Sequence, residues 1–270
     1  MTFRETTHTT STNDNSYGNV SRNRSTSTTR KVGILERLKL PLIPLPTGPE
    51  NEILRGLPAD MRRLLEAASK QVTLTKEQFL YQEGDRLDYL YFPVTAVISE
   101  FKILEDGRMV EIAVTGKEGA IGLSSVFSDA HTAQNCTQVS QAGLATRVDA
   151  VTFEKMLQAN DKLRIGLSRF VNIYIRQISQ KAICNMYHSV KERLCTWLLM
   201  LQDRSGRSTL NLTHEQIART LGVYRPSITC IAQELRESKL INYSRGGISI
   251  RNRALIEDSA CACYLELGTS

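Results

Sequence analysis

Between residues 72 and 148 apolar and polar positions alternate in short runs rich in β-branched and aromatic residues: LYQEGD, DYLYFPVTAVISEFKILEDGRMVEIAVTGKEGAIG and LATRVDAVTFEKML. A period of two predicts strands. Turn residues at Glu83-Gly84-Asp85, Glu105-Asp106-Gly107 and Gly116-Lys117-Glu118-Gly119 break them at the spacing of an antiparallel barrel or sandwich. Asp106-Gly107 is the clearest hairpin turn, because glycine accepts the positive φ such turns need. From Asp161 the period lengthens. Leu163, Leu167, Val171, Ile175, Ile178, Ala182 and Met186 recur every three or four residues, which predicts one helix with a single apolar stripe running to about residue 202. Forty residues at about 1.5 Å each make a rod of roughly 60 Å, longer than one small barrel covers. The uncovered stripe predicts a parallel, coiled-coil-like pairing with a second copy; the alternative packs the whole helix on its own β-rich part.

The next segment, LTHEQIARTLGVYRPSITCIAQELRESKLI from Leu212 to Ile241, reads as two short helices joined at a glycine. Thr213-His214-Glu215-Gln216 is a capping box, with the Thr213 hydroxyl set to accept from the Gln216 N–H while the Gln216 side chain reaches back. Ile217, Ala218 and Leu221 form the inner face, and Gly222 is suited to the left-handed conformation that ends the helix. Val223 follows as a plug, and Pro226 restarts a helix in whose first turn no donor is lost. Ile228, Ile231, Ala232 and Leu235 then face inward and turn Pro226, Cys230 and Gln233 outward, with Arg225 and Thr229 at the margin. A narrow outward strip of this kind fits the ~12 Å major groove of DNA. After it, Leu240 to Arg251 reads as a two-stranded hairpin, a wing with Arg245 at its tip in reach of backbone phosphate.

Charge strengthens this reading. The chain of 270 residues carries a net +6, yet residues 161–253 hold sixteen Lys and Arg against six Asp and Glu, so that end carries more than the whole excess. Residues 1–49 divide into a Ser/Thr/Asn-rich stretch that cannot bury enough surface to order itself and a linker with Pro41, Pro44, Pro46 and Pro49, ahead of a short helix near Glu50. No apolar run reaches the ~18 residues of a membrane span, and the first twenty residues lack the apolar core of a secretory signal, so a cytoplasmic protein with no membrane partner is expected. Six scattered cysteines then predict thiols rather than bridges. Cys184 and Cys195 read as core or seam residues, His131 and His188 as isolated, and Cys261-Ala262-Cys263 as too short for a metal site alone, so neither metal nor cofactor is expected. No nucleophile with a paired base and no phosphate-cradling loop appears, which argues against an enzyme.

The order of these parts resembles the Crp/Fnr superfamily of bacterial transcription regulators over about residues 50–264, most specifically in LTHEQIARTLGVYRPSIT, the wing LINYSRGGISI, the stretch YFPVTAVISEFKILEDGRMVEIAVTGKEGAIG and the ending ACACY. The resemblance implies an α+β fold with an N-terminal cyclic-nucleotide-binding-type β-roll (50–160), a long dimerisation helix (161–203) and a C-terminal winged helix-turn-helix (204–270). It also implies a homodimer on a palindromic site in double-stranded DNA, with RNA polymerase as a further partner. Position by position, Arg225 matches an arginine that contacts a guanine, whereas Pro226 and Cys230 stand where the family has a glutamate and a second arginine. Thr213, Tyr224, Ser227, Thr229, Gln233 and Arg245 complete the expected DNA-binding set. In the roll, Ala120 stands at the glutamate position and Gln134 at the arginine position of members that bind cyclic AMP, and Ile178 precedes Ser179, the match to an adenine-contacting serine. These departures argue against cyclic AMP and leave the effector unknown. The absence of a cysteine before Cys136 argues against an N-terminal iron-sulfur cluster. A ligand- or partner-binding module that has lost DNA recognition is the competing reading, permitted by the missing second arginine.

Overall fold

The computed structural model describes residues 50–268 except 128–130 and 245, so the tail, the Pro-rich linker and Arg245 lie outside the described residues. The first element, α1 (Glu52–Arg55), starts at buried Asn51, whose side-chain oxygen accepts from the Ile53 N–H at 3.0 Å while its Nδ2 donates to Pro93 O and Gly119 O at 3.0 and 2.8 Å. One asparagine thus caps a helix and ties it to the β-rich body. After α2 (Ala59–Ala68) come β1 (Ser69–Leu74), β2 (Phe79–Tyr81), β3 (Tyr89–Pro93), β4 (Val97–Ile103), β5 (Met109–Thr115), α3 (Ser124–Phe127), β6 (Cys136–Gln141) and β7 (Gly143–Asp149). They form two antiparallel sheets, ordered β1-β7-β3 and β2-β6-β4-β5, as the alternation predicts. The β4–β5 hairpin turns at Gly107, φ +80°, and the Leu104 N–H donates to Arg108 O at 2.8 Å.

Strand β4 is buried on both faces. Ile98 looks into the roll with Val139 and Leu74, whereas Val97 joins Val114 in a core otherwise built from the C-terminal helices and strands. The C-terminal unit therefore docks on the outer face of the roll.

Helix α4 (Ala150–Ala159) leads into α5 (Asp161–Tyr187), capped by Asn160, whose Oδ1 accepts from the Leu163 N–H at 3.0 Å. The expected single helix to residue 202 does not form. His188 takes an extended conformation, φ −107° and ψ 144°, and Ser189 with Glu192 makes a full capping box that starts a separate helix, α6 (Val190–Ser205). The single stripe also divides. Steps of four residues overshoot the helical turn by about 40° each, so Leu163 and Leu167 face the chain's own core while Ile175 and Met186, 56% and 74% exposed, have drifted outward. The inward face is Leu163, Leu167, Phe170, Gln177 and Cys184. The outward face carries Ile165, Ser168, Asn172, Ile175, Ser179, Ala182 and Met186, all exposed and spaced as a heptad.

Helix α6 buries Leu194, Leu198, Leu199 and Leu201 among β8 (Thr209–Asn211), α7 (His214–Leu221), α8 (Arg225–Glu237), β9 (Ile241–Ser244), β10 (Gly247–Ile250) and α9 (Arg253–Ser259); α10 (Cys263–Gly268) follows. The wing is three-stranded, β8-β10-β9, rather than the two-stranded hairpin expected.

Three bonds across the body converge on Glu111 of β5, which is 1% exposed. It accepts from Ser99 Oγ at 2.7 Å, from Trp197 Nε1 of α6 at 3.1 Å and from Lys181 Nζ of α5. Nearby, Arg204 Nε of α6 pairs with Glu118 Oε1 at 2.7 Å, both side chains 10% exposed. Roll, long helix and C-terminal unit are thereby joined through charged groups shielded from water.

Candidate nucleic-acid interface

The helix-turn-helix follows from local chemistry. Thr213 Oγ1 accepts from the Gln216 N–H at 3.2 Å and Gln216 Oε1 accepts from the Thr213 N–H at 2.9 Å, so the predicted capping box is present. Gly222, φ +65° and ψ 40°, ends α7 in the left-handed conformation. Tyr224 is the extended cap of α8, Arg225 is its first residue and Pro226 its second. Ile228, Ala232 and Leu235 are buried, as the stripe predicts, and Val223 is half-buried against the same core.

The outward strip is open to solvent. Thr213, Tyr224, Arg225, Pro226, Ser227, Thr229, Cys230 and Gln233 are all exposed, Tyr224 at 86%. The structure gathers Tyr224, Arg225, Ser227 and Thr229 at the first turn of α8. Besides Thr213, whose oxygen serves the cap, two of the candidates are already engaged: Thr229 Oγ1 donates to Arg225 O at 3.2 Å, and Gln233 Nε2 donates to Glu237 Oε1 at 2.8 Å. Because the Thr229 hydroxyl proton goes to that carbonyl, its oxygen accepts from His214 Nδ1 at 3.1 Å.

His214 is a residue the sequence reading left without a role. Its ring stacks on Tyr243 of β9 with centroids 4.6 Å apart, so it braces α7, α8 and the wing against one another. Burial, helped by the Arg225 charge, lowers its pKa and favours the neutral ring. The signal was its place directly after an N-cap, facing the second helix.

In the roll, a cavity of about 290 Å³ opens between the sheets and α5, lined in part by Glu100, Ala120, Gln134, Phe170 and Tyr174. Two of the departures at the sensor site, Ala120 and Gln134, sit at this cavity. Among the described residues that line it none is basic. Tyr174 donates from its hydroxyl to Glu100 Oε2 at 3.0 Å, a bond from α5 to β4 across the cavity. Burial pushes the Glu100 carboxyl up, against the opposing pull of its bonds to Tyr174 and Asn135. Ser179 does not reach this cavity; it is exposed on α5 and donates to Ile175 O at 3.0 Å.

Comparison with known proteins agrees with this arrangement. Residues 71–160 match the cyclic nucleotide-binding domain family and residues 192–258 the Crp-like helix-turn-helix domain family. The chain belongs to the Crp/Fnr superfamily. It is a DNA-binding transcription regulator, and regulators of this superfamily are not enzymes; they bind DNA as dimers and contact RNA polymerase. Among relatives, the anaerobic regulatory protein of Bacillus subtilis is 23% identical over 196 residues, 70% of this chain and 82% of its own length. The global nitrogen regulator of a Synechocystis species is 23% identical over 212 residues, covering 73% and 92%. Among solved structures, FixK2 of Bradyrhizobium japonicum superposes with a TM-score of 0.62 at 18% identity, over 72% of this chain and 98% of that one. A Crp/Fnr-family regulator of Eubacterium rectale gives 0.61 at 16% identity, covering 77% and 96%. No described helix is long and apolar enough to cross a membrane.

Proposed function

We propose that the regulator works as a homodimer on a palindromic DNA site, with two copies joined along the exposed heptad of α5 and the first turn of each α8 in a major groove. The observation that carries this reading is the open N-terminal turn of α8, where Arg225 stands free of any carboxylate ion pair among the described residues. A guanidinium there donates two parallel bonds to guanine O6 and N7, worth about 1–3 kcal/mol of discrimination. Thr213, Tyr224 and Ser227 serve phosphate or base contacts beside it, Thr229 and Gln233 do so once their internal bonds are exchanged, and Arg245 is the further phosphate contact. Pro226 and Cys230 offer little hydrogen bonding, so neighbouring positions are read by apolar contact and DNA shape.

The working parts are then the sensing roll of residues 50–160, a dimerising segment beginning at residue 161, and the DNA-reading end of residues 204–270, to which α6 is joined by packing. RNA polymerase is the further partner, and the cytoplasm the compartment.

Arg225→Ala is expected to weaken binding roughly 5- to 150-fold for each half-site of the preferred DNA, so that the two losses in a dimer multiply, while leaving the salt dependence almost unchanged. Removing a phosphate-binding residue such as Thr213 is expected to weaken preferred and random DNA alike. Fluorescence anisotropy at several salt concentrations checks both; equal affinity of Arg225→Ala and the parent for the preferred site would remove Arg225 as the base reader.

The cavity, with a carboxyl group and no cation, supports an uncharged or cationic ligand with hydrogen-bond donors in place of a cyclic phosphate, which needs a positive partner. A ligand that takes over the Glu100 carboxyl breaks the bond to Tyr174 and so acts directly on α5. Native mass spectrometry of the full chain is expected to show a retained mass lost in Glu100→Ala; a retained anionic nucleotide would contradict the assignment.

A further inference from the structure

The fold collects side chains that lie as far as 79 positions apart in the chain: Cys184 in the last turn of α5, His188 at its cap, Cys261 between α9 and α10, and Cys263 at the start of α10. Their ligand atoms all lie within 4.8 Å of one another. Cys184 Sγ is 3.7 Å from Cys261 Sγ, and Cys263 Sγ is 3.5 Å from His188 Nδ1. A tetrahedral zinc ion with bonds of about 2.3 Å to sulfur and about 2.05 Å to nitrogen has edges of about 3.8 Å between sulfurs and about 3.5 Å between sulfur and nitrogen. Two of the six edges of the cluster have those lengths, and the other four are no longer than 4.8 Å.

We propose that Cys184, His188, Cys261 and Cys263 hold one zinc ion, which clamps the end of the dimer helix and the bend after it to the C-terminal helix of the DNA-binding unit. Three soft thiolates and one imidazole are a donor set that selects zinc over the oxygen-seeking cations. The surroundings suit thiolates. Gln180 Nε2 donates to Cys263 Sγ at 2.7 Å, and Thr196 Oγ1 lies 3.0 Å from Cys261 Sγ while accepting from the Cys261 N–H at 3.1 Å. Such outer bonds fix ligand orientation. Three thiolates exceed the charge of one zinc ion by a single negative charge, and Arg193 lies close enough to interact with Cys184 and Cys261.

Other occupants fit less well. An iron-sulfur cluster spreads its ligands over separate irons, whereas these four atoms lie within 4.8 Å of one another, close enough for a single ion. A Cys184–Cys261 disulfide uses neither Cys263 nor His188.

The location gives the ion a mechanical role. The chain bends at His188 and Ser189, where the dimer helix passes into α6. A ligand at the bend and two from the segment after α9 fix the angle between dimer seam and recognition helix, and binding the ion releases thiol protons as it does so.

The test is elemental analysis of the full chain purified under reducing conditions without chelator. One zinc per chain is expected, together with cobalt(II) uptake by stripped protein that gives thiolate-to-cobalt charge-transfer bands and tetrahedral ligand-field bands. Metal should be lost in Cys263→Ser and in His188→Ala, whose side chain is only half-buried so that the fold survives, and retained in Cys230→Ser. Stripping the metal should lower both the melting temperature and the affinity for the preferred DNA site. A parent chain with no stoichiometric zinc and no cobalt spectrum, iron with acid-labile sulfide in its place, or a Cys184–Cys261 disulfide in peptide mapping would each overturn the proposal. These metal readouts need no DNA, so they stand apart from the reading of α8.

Discussion

Glu111→Ala is expected to destabilise the protein by about 3–5 kcal/mol, the cost of breaking a buried ion pair from one side. The substitution strands the Lys181 ammonium, 82% of whose side chain is shielded, and leaves Trp197 Nε1 and Ser99 Oγ without their acceptor. A buried donor left unmatched costs about 1–3 kcal/mol by itself. Glu111→Gln keeps an oxygen for Trp197 and should cost clearly less. Urea unfolding followed by Trp197, the single tryptophan in the chain, reads this directly, because the substituted carboxylate touches the fluorophore. Equal midpoints for the parent and Glu111→Ala would show that these bonds do not hold the three parts together.

The second large effect concerns the dimer seam proposed on α5. Ile175→Glu combined with Ala182→Glu places like charges on the surface where the proposed dimer brings two identical helices together, so each carboxylate would face its own copy. The monomer itself should remain folded, since Ile175 and Ala182 are exposed and neither belongs to a core. Sedimentation should show a monomer where the parent is a dimer. Affinity for a full palindrome should fall by about 10²–10⁴, the gain that linking two reading heads provides. A doubly substituted chain that stays dimeric would place the interface elsewhere.

How far this was legible in the sequence depended on the range of the interactions. The Thr213 capping box, Gly222, Pro226 and the stripe of α8 were readable because each acts within one helical turn. The break after α5 was equally local, for Ser189-x-x-Glu192 has the same form as Thr213-x-x-Gln216, yet continuous helical periodicity and the lack of Pro or Gly masked it. The apolar stripe of α5 merged two faces, because spacing by fours does not separate a residue facing its own roll from one exposed on the opposite side. Strand β8 was missed because three residues, Thr-Leu-Asn, carry no period of their own and are ordered only by pairing with β10. Glu111, Glu100 and the Cys184 cluster lay beyond sequence reasoning for a common reason: their partners come from distant segments, and only packing decides which polar residues meet.

In the proposed assembly two α8 helices read DNA as a symmetric pair, with Arg225 as the base donor. Selection of bound sequences from random double-stranded DNA by the full-length parent and by Arg225→Ala tests it most directly. The account predicts an inverted repeat with half-site centres one helical turn apart or a multiple of it, about 34 Å for one turn. Each half should carry one guanine whose preference disappears in Arg225→Ala while the rest of the repeat persists. Enrichment of no motif, or of a single unpaired half-site, would contradict it.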